Sequence, residues 1–235
     1  MLKLENVIKE YIRKEKKVTA VNDISCEFEE GSFVSVVGRS GSGKSTLLNL
    51  IGGLDTASSG HIYFQNKSLS EMKRKELELY RRFSIGMIFQ SFNLISYYSA
   101  IDNVILPMNF ADVPKKESRK RAESLLEQVG LSDRINHIPA ELSGGEAQRV
   151  AIARSLANNP KMILADEPTG NLDSTTSDEI ISLLIDLNKK QGITIIMITH
   201  ESDIAKKVSD KIITLLDGKI LETKIRTNSG ELVWK

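Results

Sequence analysis

The chain of 235 residues carries a single cysteine, a single tryptophan and five prolines. One thiol, Cys26, excludes an internal disulfide and any metal site assembled from several cysteines. No excess of either charge is present: 32 lysines and arginines face 31 aspartates and glutamates, for a formal net charge of +1. That balance excludes the strong basic surplus of a dedicated nucleic-acid binder. No apolar run approaches 18 residues, so no transmembrane helix is encoded. The opening Met1-Leu2-Lys3-Leu4-Glu5-Asn6 lacks the apolar stretch of a secretion signal. The expectation is a cytoplasmic protein that binds no nucleic acid. There is no internal repeat and no low-complexity segment. With 40% hydrophobic residues, the chain is long enough to bury a sizeable core.

Strand and helix patterns alternate along the chain. Ile24–Phe28 alternates apolar and polar residues, and Phe33–Val37 reads as a mostly buried strand. A packed helix over Leu47–Ile51, a strand over His61–Phe64, a charged helix over Glu71–Arg82 and a strand over Ile85–Phe89 follow. The pattern breaks between Pro107 and Pro114. Ala122, Leu125, Leu126 and Val129 then recur at helical spacing. The segment 91–160 is expected to be a helical subdomain inserted between core segments 1–90 and 161–235. Beyond it come a strand over Met162–Ala165, a helix over Ser174–Leu187, a strand over Ile193–Ile198 and a helix over Glu201–Val208. Asp217-Gly218 then sits between two strands as a hairpin turn. Alternation of this kind implies an α/β fold with a parallel sheet covered on both faces.

Gly38-Arg39-Ser40-Gly41-Ser42-Gly43-Lys44-Ser45-Thr46 fits G-x-x-x-x-G-K-[ST] and lies between a strand and a helix, as that phosphate loop requires. Its glycines let successive N–H groups turn inward around phosphate oxygens, and the following helix adds its positive end. Lys44 is placed to reach the β- and γ-phosphates, and Ser45 to hold Mg²⁺. The apolar strand Met162–Ala165 runs into Asp166-Glu167, and carboxylates at the end of a buried strand need a partner. Because strand side chains alternate in direction, Asp166 is expected to point to the metal and Glu167 to a water. Ser143 and Glu146 have the spacing of a capping box, and Gly144-Gly145 lies between them. This makes a second helix start suited to an anion, beside the simpler reading of a well-capped helix.

In this order, the motifs resemble the ATP-binding-cassette superfamily, the motor subunits of ABC transporters, over nearly the whole chain. The resemblance implies a P-loop NTPase with a mostly parallel core sheet, an antiparallel β subdomain and an inserted helical subdomain. It implies ATP and Mg²⁺ as cofactors. Leu142–Glu146 is similar to the family's signature sequence, with Ser143, Gly144, Gly145 and Glu146 acting on the ATP of a second copy. Gln90 matches the Q-loop glutamine at Mg²⁺ and the attacking water. Asp173 matches the D-loop aspartate, and His200 the switch histidine near the γ-phosphate. Tyr11 is placed like the aromatic that stacks on adenine. Ile51-Gly52-Gly53-Leu54-Asp55, Phe89–Leu94, Asn103–Pro107 and Ala165–Asp173 look like the macrolide-exporter and lipoprotein-release branch (MacB- and LolD-like), near the bacitracin-type and cell-division ATPases. Arg39 stands where that branch often has proline, and Glu146-Ala147 where Gln-Gln is common.

The resemblance further implies a homodimer formed on ATP binding. It also implies an integral membrane permease as partner, and a peripheral location on the inner face of the cell membrane. Phe92, Tyr97 and Tyr98 are candidates for the docking surface, with subdomain core as the alternative. A small GTPase is disfavoured because Asn66-Lys67-Ser68-Leu69 and Asn188-Lys189-Lys190-Gln191 lack the aspartate of a guanine motif. A chromosome-maintenance ATPase is disfavoured because no room exists for a long coiled coil. The cluster Lys115-Lys116 and Arg119-Lys120-Arg121 reads as a solvated helix face.

Overall fold

In the computed structural model, which describes residues 1–13, 16–227 and 229–234, the chain opens with two long antiparallel strands. These are β1 (Leu2–Arg13) and β2 (Lys16–Phe28). Patterning marks only Ile24–Phe28 of this pair. The buried row of β1 is Leu2, Leu4 and Val7, and its two-residue period is broken by a register shift at Asn6, whose φ is 48°. A bulge of that kind hides a strand from an alternation argument.

β3 (Phe33–Val37) leads through the phosphate loop into α1 (Lys44–Ile51). β4 (Ser59–Phe64) and β5 (Lys67–Ser68) complete an antiparallel sheet in the order β2-β1-β4-β5. α2 (Arg74–Ser84) and β6 (Ile85–Phe89) return to the core. Three helices follow: α3 (Ala100–Asn109), α4 (Lys115–Gln128) and α5 (Gly144–Ser155). The last part holds β7 (Met162–Asp166), α6 (Ser174–Gln191), β8 (Thr194–Thr199) and α7 (Ser202–Val208). β9 (Lys211–Leu216), β10 (Lys219–Arg226) and β11 (Leu232–Trp234) close the described chain. The core sheet runs β11-β10-β9-β3-β8-β7-β6, parallel from β9 to β6 and antiparallel at β10 and β11.

Both faces of the parallel strands are buried, and side-chain alternation divides them between two cores. Val34, Val36, Leu164, Ile196 and Ile198 meet α1 and the antiparallel sheet, whereas Phe33, Ile163, Ala165, Ile195 and Met197 meet the helices on the other side. α1 has only eight residues, too few for an independently stable helix. Burial of Leu47, Leu48, Leu50 and Ile51, about 1.5–3 kcal/mol per side chain, fixes it and with it the phosphate loop.

Helix α3 runs through Pro107 to Asn109, and the pattern breaks inside the Pro107–Pro114 interval expected from the sequence. A proline in a last turn removes one hydrogen bond, and fully buried Val104 and Met108 hold the turn in place. The break itself is Phe110–Pro114. Of the three aromatics expected at a docking surface, only Tyr97 is fully exposed, at 78%. Tyr98 is half-buried with its ring edge-on to Tyr97. Phe92 is half-buried beside Gly144. Lys115, Lys116, Arg119 and Lys120 are exposed, while Arg121 is partly buried.

Candidate active site

Parallel strands β3, β6, β7 and β8 end at one edge of the core sheet, and there they release Gly38–Thr46, Gln90, Asp166-Glu167 and His200. Open α/β sheets bind ligands at the carboxyl ends of their strands, where loops diverge and leave a crevice. Ser40, Gly41, Gly43, Lys44, Ser45, Thr46, Gln90, Asp166, Glu167 and His200 line one cleft of about 420 Å³.

The phosphate loop is braced from behind. Gly43 caps α1 at φ 98°, and a Cβ on it would lie 2.1 Å from the Ala20 carbonyl oxygen. Only glycine satisfies both conditions. The turn Asp217-Gly218 does more than reverse the chain: Gly218 N–H donates to the Ser42 carbonyl at 3.1 Å, and its own carbonyl accepts from Asn22 N–H at 2.8 Å. Lys44 is only 7% exposed and donates from Nζ to the Gly38 and Arg39 carbonyls at 2.9 and 3.0 Å. Ser42 Oγ is buried without a protein partner among the described residues. A lysine satisfied only by loop carbonyls and an orphaned hydroxyl are the donors that an incoming phosphate would engage.

Ser45 Oγ donates to Asp166 Oδ1 at 3.3 Å. Burial pushes the Asp166 carboxyl above its ordinary value; Ser45 opposes that shift, Glu167 adds to it, and the Lys44 charge opposes it. An added cation would relieve this carboxylate. Ser45, Asp166 and Gln90 offer oxygen donors only, a set suited to Mg²⁺ that retains phosphate and water ligands. Among the described residues no group of three or more His, Cys, Asp and Glu side chains is gathered to hold a metal alone.

Asp166 and Glu167 face the same cleft, which corrects the alternation argument. β7 ends at Asp166, and Glu167 adopts a left-handed φ of 47°. This conformation costs a non-glycine residue on the order of 1 kcal/mol. It is held by Glu167 N–H to the Ile198 carbonyl at 3.0 Å and by Gly170 N–H to the Glu167 carbonyl at 3.1 Å. The backbone reversal swings the second carboxylate back beside the first. Glu167 Oε2 then lies 2.7 Å from His200 Nδ1.

Ser143, Gly144, Gly145 and Glu146 do not line the cleft. Ser143 Oγ accepts from Glu146 N–H at 3.3 Å, and Glu146 Oε2 accepts from Ser143 N–H at 2.8 Å. That backbone bond, the Arg134 guanidinium at 3.0 Å and the Ser143 hydroxyl hold the Glu146 carboxyl down at about 2. The paired glycines have a local use: a Cβ on Gly145 would lie 2.5 Å from Thr176 Cγ2, and one on Gly144 would lie 3.2 Å from Leu172 Cδ2. The turn therefore packs against the start of α6, where Asp173 accepts from Thr176 N–H at 3.0 Å and Thr176 Oγ1 at 2.6 Å.

Two residues unmarked by sequence reasoning tie these pieces together. Gln148, fully buried in α5, donates to the Pro168 carbonyl at 2.6 Å and so links the signature helix to the loop after β7. Arg154 donates to the Phe92 carbonyl at 2.7 Å and to the Asn93 carbonyl, clamping the segment after Gln90. Both lie on a helix that periodicity explains as core, so no local signal separates them. Asn171 Nδ2 donates to the Gln90 carbonyl at 3.0 Å. Tyr11 stands apart from the cleft lining, 40% exposed at the Thr46 end, with its hydroxyl on Asp55 Oδ2 at 2.8 Å. A larger groove of about 680 Å³ runs past Ile85, Met87, Phe89, Leu106, Pro107 and Phe110, with Arg81, Arg82 and Arg154 at its margin.

Residues 21–170 match the family profile described as ABC transporter. The chain belongs to the ABC transporter family. It is an ATP-binding ATPase cassette of that family. It is 52% identical over 222 residues to an uncharacterized ABC transporter ATP-binding protein of Methanocaldococcus jannaschii, MJ1508, covering 94% of this chain and 98% of the relative. It is 45% identical to the methionine import ATP-binding protein MetN of Geobacillus kaustophilus, again over 94% of this chain but only 65% of that longer protein. The solved dimeric, post-hydrolysis structure of the M. jannaschii cassette MJ0796 bound to ADP and phosphate superposes with a TM-score of 0.89 at 44% identity, over 96% of this chain and 98% of that one.

Proposed function

We propose that this chain is the motor subunit of a membrane transporter, closing as a homodimer on two ATP molecules and driving a separate permease. The observation that carries this reading is the cleft itself. A phosphate loop, a half-buried carboxylate paired with Ser45, and a carboxylate–histidine pair converge on it, while the capped turn at Ser143 lies outside it.

Loop amides from Gly38 to Thr46 and the Lys44 ammonium bind the β- and γ-phosphates. Ser45, Gln90 and Asp166 would hold Mg²⁺, which would supply neutralisation of the phosphate charge. Glu167 takes a proton from water as its oxygen attacks the γ-phosphorus. The bond to the bridging β–γ oxygen breaks, and its electron pair leaves with ADP. His200 fixes Glu167 through Nδ1 and keeps base and γ-phosphate in register. The Ser143 turn of a second copy covers the γ-phosphate, so one loop and one turn per chain make two complete sites per dimer. The dimeric state of MJ0796 supports this arrangement.

No helix among the described residues is long and apolar enough to cross a membrane. A partner must supply the crossing, and the chain would work on the inner face of the membrane. The groove is lined in part by Ile85, Met87 and Phe89 of β6, the strand that leads to Gln90, so a segment of the permease seated there would touch the strand that feeds the cleft. Ile51–Asp55, Phe89–Leu94, Asn103–Pro107 and Ala165–Asp173 favour the export branch, with a peptide, drug or lipoprotein as cargo.

The test is phosphate release against protein concentration. Activity per chain should rise with concentration, because each site needs two chains. Glu167→Gln should lower turnover by about 10²–10⁴-fold, retain ATP binding and trap the dimer. Full-rate hydrolysis by a strictly monomeric sample refutes the shared site. ATP-driven dimerisation with no phosphate release in the unmutated chain would make it a nucleotide-gated adaptor of a division or sensing complex.

A further inference from the structure

We propose that Asp55 is a positioning residue for the nucleotide base, acting through Tyr11 and setting the distance between base and phosphate loop. The inference rests on the reading of Tyr11 as the surface on which the base stacks. Tyr11 comes from β1 of the antiparallel sheet, whereas the phosphate loop belongs to the core sheet. Asp55 lies four residues beyond the end of α1, the helix that carries the loop, and its N–H donates back to the Asn49 carbonyl of that helix at 3.3 Å. It thus rides with the phosphate site and reaches across to the ring.

Both carboxylate oxygens of Asp55 are committed. Oδ2 accepts from the Tyr11 hydroxyl at 2.8 Å. Oδ1 accepts from Lys9 Nζ at 2.5 Å and from Thr56 N–H at 2.7 Å. Lys9 also donates to the Thr56 carbonyl at 2.8 Å and sits over the Tyr11 ring, 5.0 Å from its centroid. The strand register shifts between Lys9 and Glu10, and the side chains of Lys9 and Tyr11 meet at the Tyr11 ring. The ring is tied at its hydroxyl and covered on one face by a cation, so the other face remains for a purine. A half-exposed tyrosine would otherwise sample several rotamers and lose that freedom only on binding. Although partial burial works against ionisation, the bonds from Lys9 and Tyr11 keep the Asp55 carboxyl below its ordinary value, so the brace is charged at neutral pH.

Calorimetric titration with Mg·ATP and with Mg·tripolyphosphate, which has no base, tests the assignment. Asp55→Ala should weaken ATP binding about two- to tenfold, the cost of ordering one side chain, and leave tripolyphosphate affinity unchanged. Tyr11→Phe, which keeps the ring and loses the hydroxyl, should match it. The double variant should be no worse than either single one. Asp55→Asn, whose amide oxygen still accepts from the hydroxyl, should recover most of the loss and remains informative if Asp55→Ala folds poorly. Equal weakening for both ligands, additive losses, or unchanged ATP affinity in Asp55→Ala beside a weakened Tyr11→Ala would overturn the role of Asp55. Unchanged ATP affinity in Tyr11→Ala would instead overturn the stacking role of Tyr11 and the proposal with it.

Discussion

Gly145→Ala probes the packing of the signature turn with a magnitude set by geometry. The new Cβ would lie 2.5 Å from Thr176 Cγ2, against about 3.5–4.0 Å for carbon atoms in contact. Thr176 cannot rotate clear cheaply, because its Oγ1 is bonded to Asp173 Oδ2 at 2.6 Å. Overpacking of this kind costs about 1–3 kcal/mol, partly offset by the helix gain of up to about 1 kcal/mol for replacing glycine. With an overpacking cost in the middle of that range, about 2 kcal/mol, the net loss is about 1–2 kcal/mol and should lower the Tm by about 2–8 °C at this chain length. Thr176→Ser deletes Cγ2 and keeps the hydroxyl bond to Asp173. Combined with Gly145→Ala it should therefore restore stability to at least that of Thr176→Ser alone. Thermal melts of the four proteins, followed by phosphate release, check this. A Gly145→Ala protein as stable as the parent, or one that Thr176→Ser fails to rescue, would refute the packing argument.

Lys44→Ala should weaken ATP binding by more than about tenfold, the scale of one charged hydrogen bond; titration with labelled ATP measures it. Ser143→Arg should leave ATP binding by the monomer intact and abolish phosphate release, at a stability cost of about 1 kcal/mol for the lost cap. Glu146 is held from an ordinary 4.5 down to about 2. Because its folded value is depressed, its stabilisation is complete above the unfolded value and fades as pH falls from about 4.5 towards about 2. Melts of the parent and Glu146→Gln should therefore converge across that window; a constant gap would show that the charge on Glu146 is irrelevant to the turn.

The alternation of apolar strands with helices and the G-x-x-x-x-G-K-[ST] spacing determined the fold class and the phosphate loop, because both are local and periodic. The capped helix start at Ser143 was legible for the same reason. Tertiary structure alone decided the rest. The bulge at Asn6 concealed β1, and burial of Val104 and Met108 carried α3 through Pro107. The left-handed turn at Glu167 brought two carboxylates into one cleft where alternation had separated them. Gln148, Arg154 and Asp55 are ordinary polar residues in sequence; their partners lie 20, 62 and 44 positions away. No window along the chain contains such contacts. They exist only once the strands bring distant segments to the same edge of the sheet.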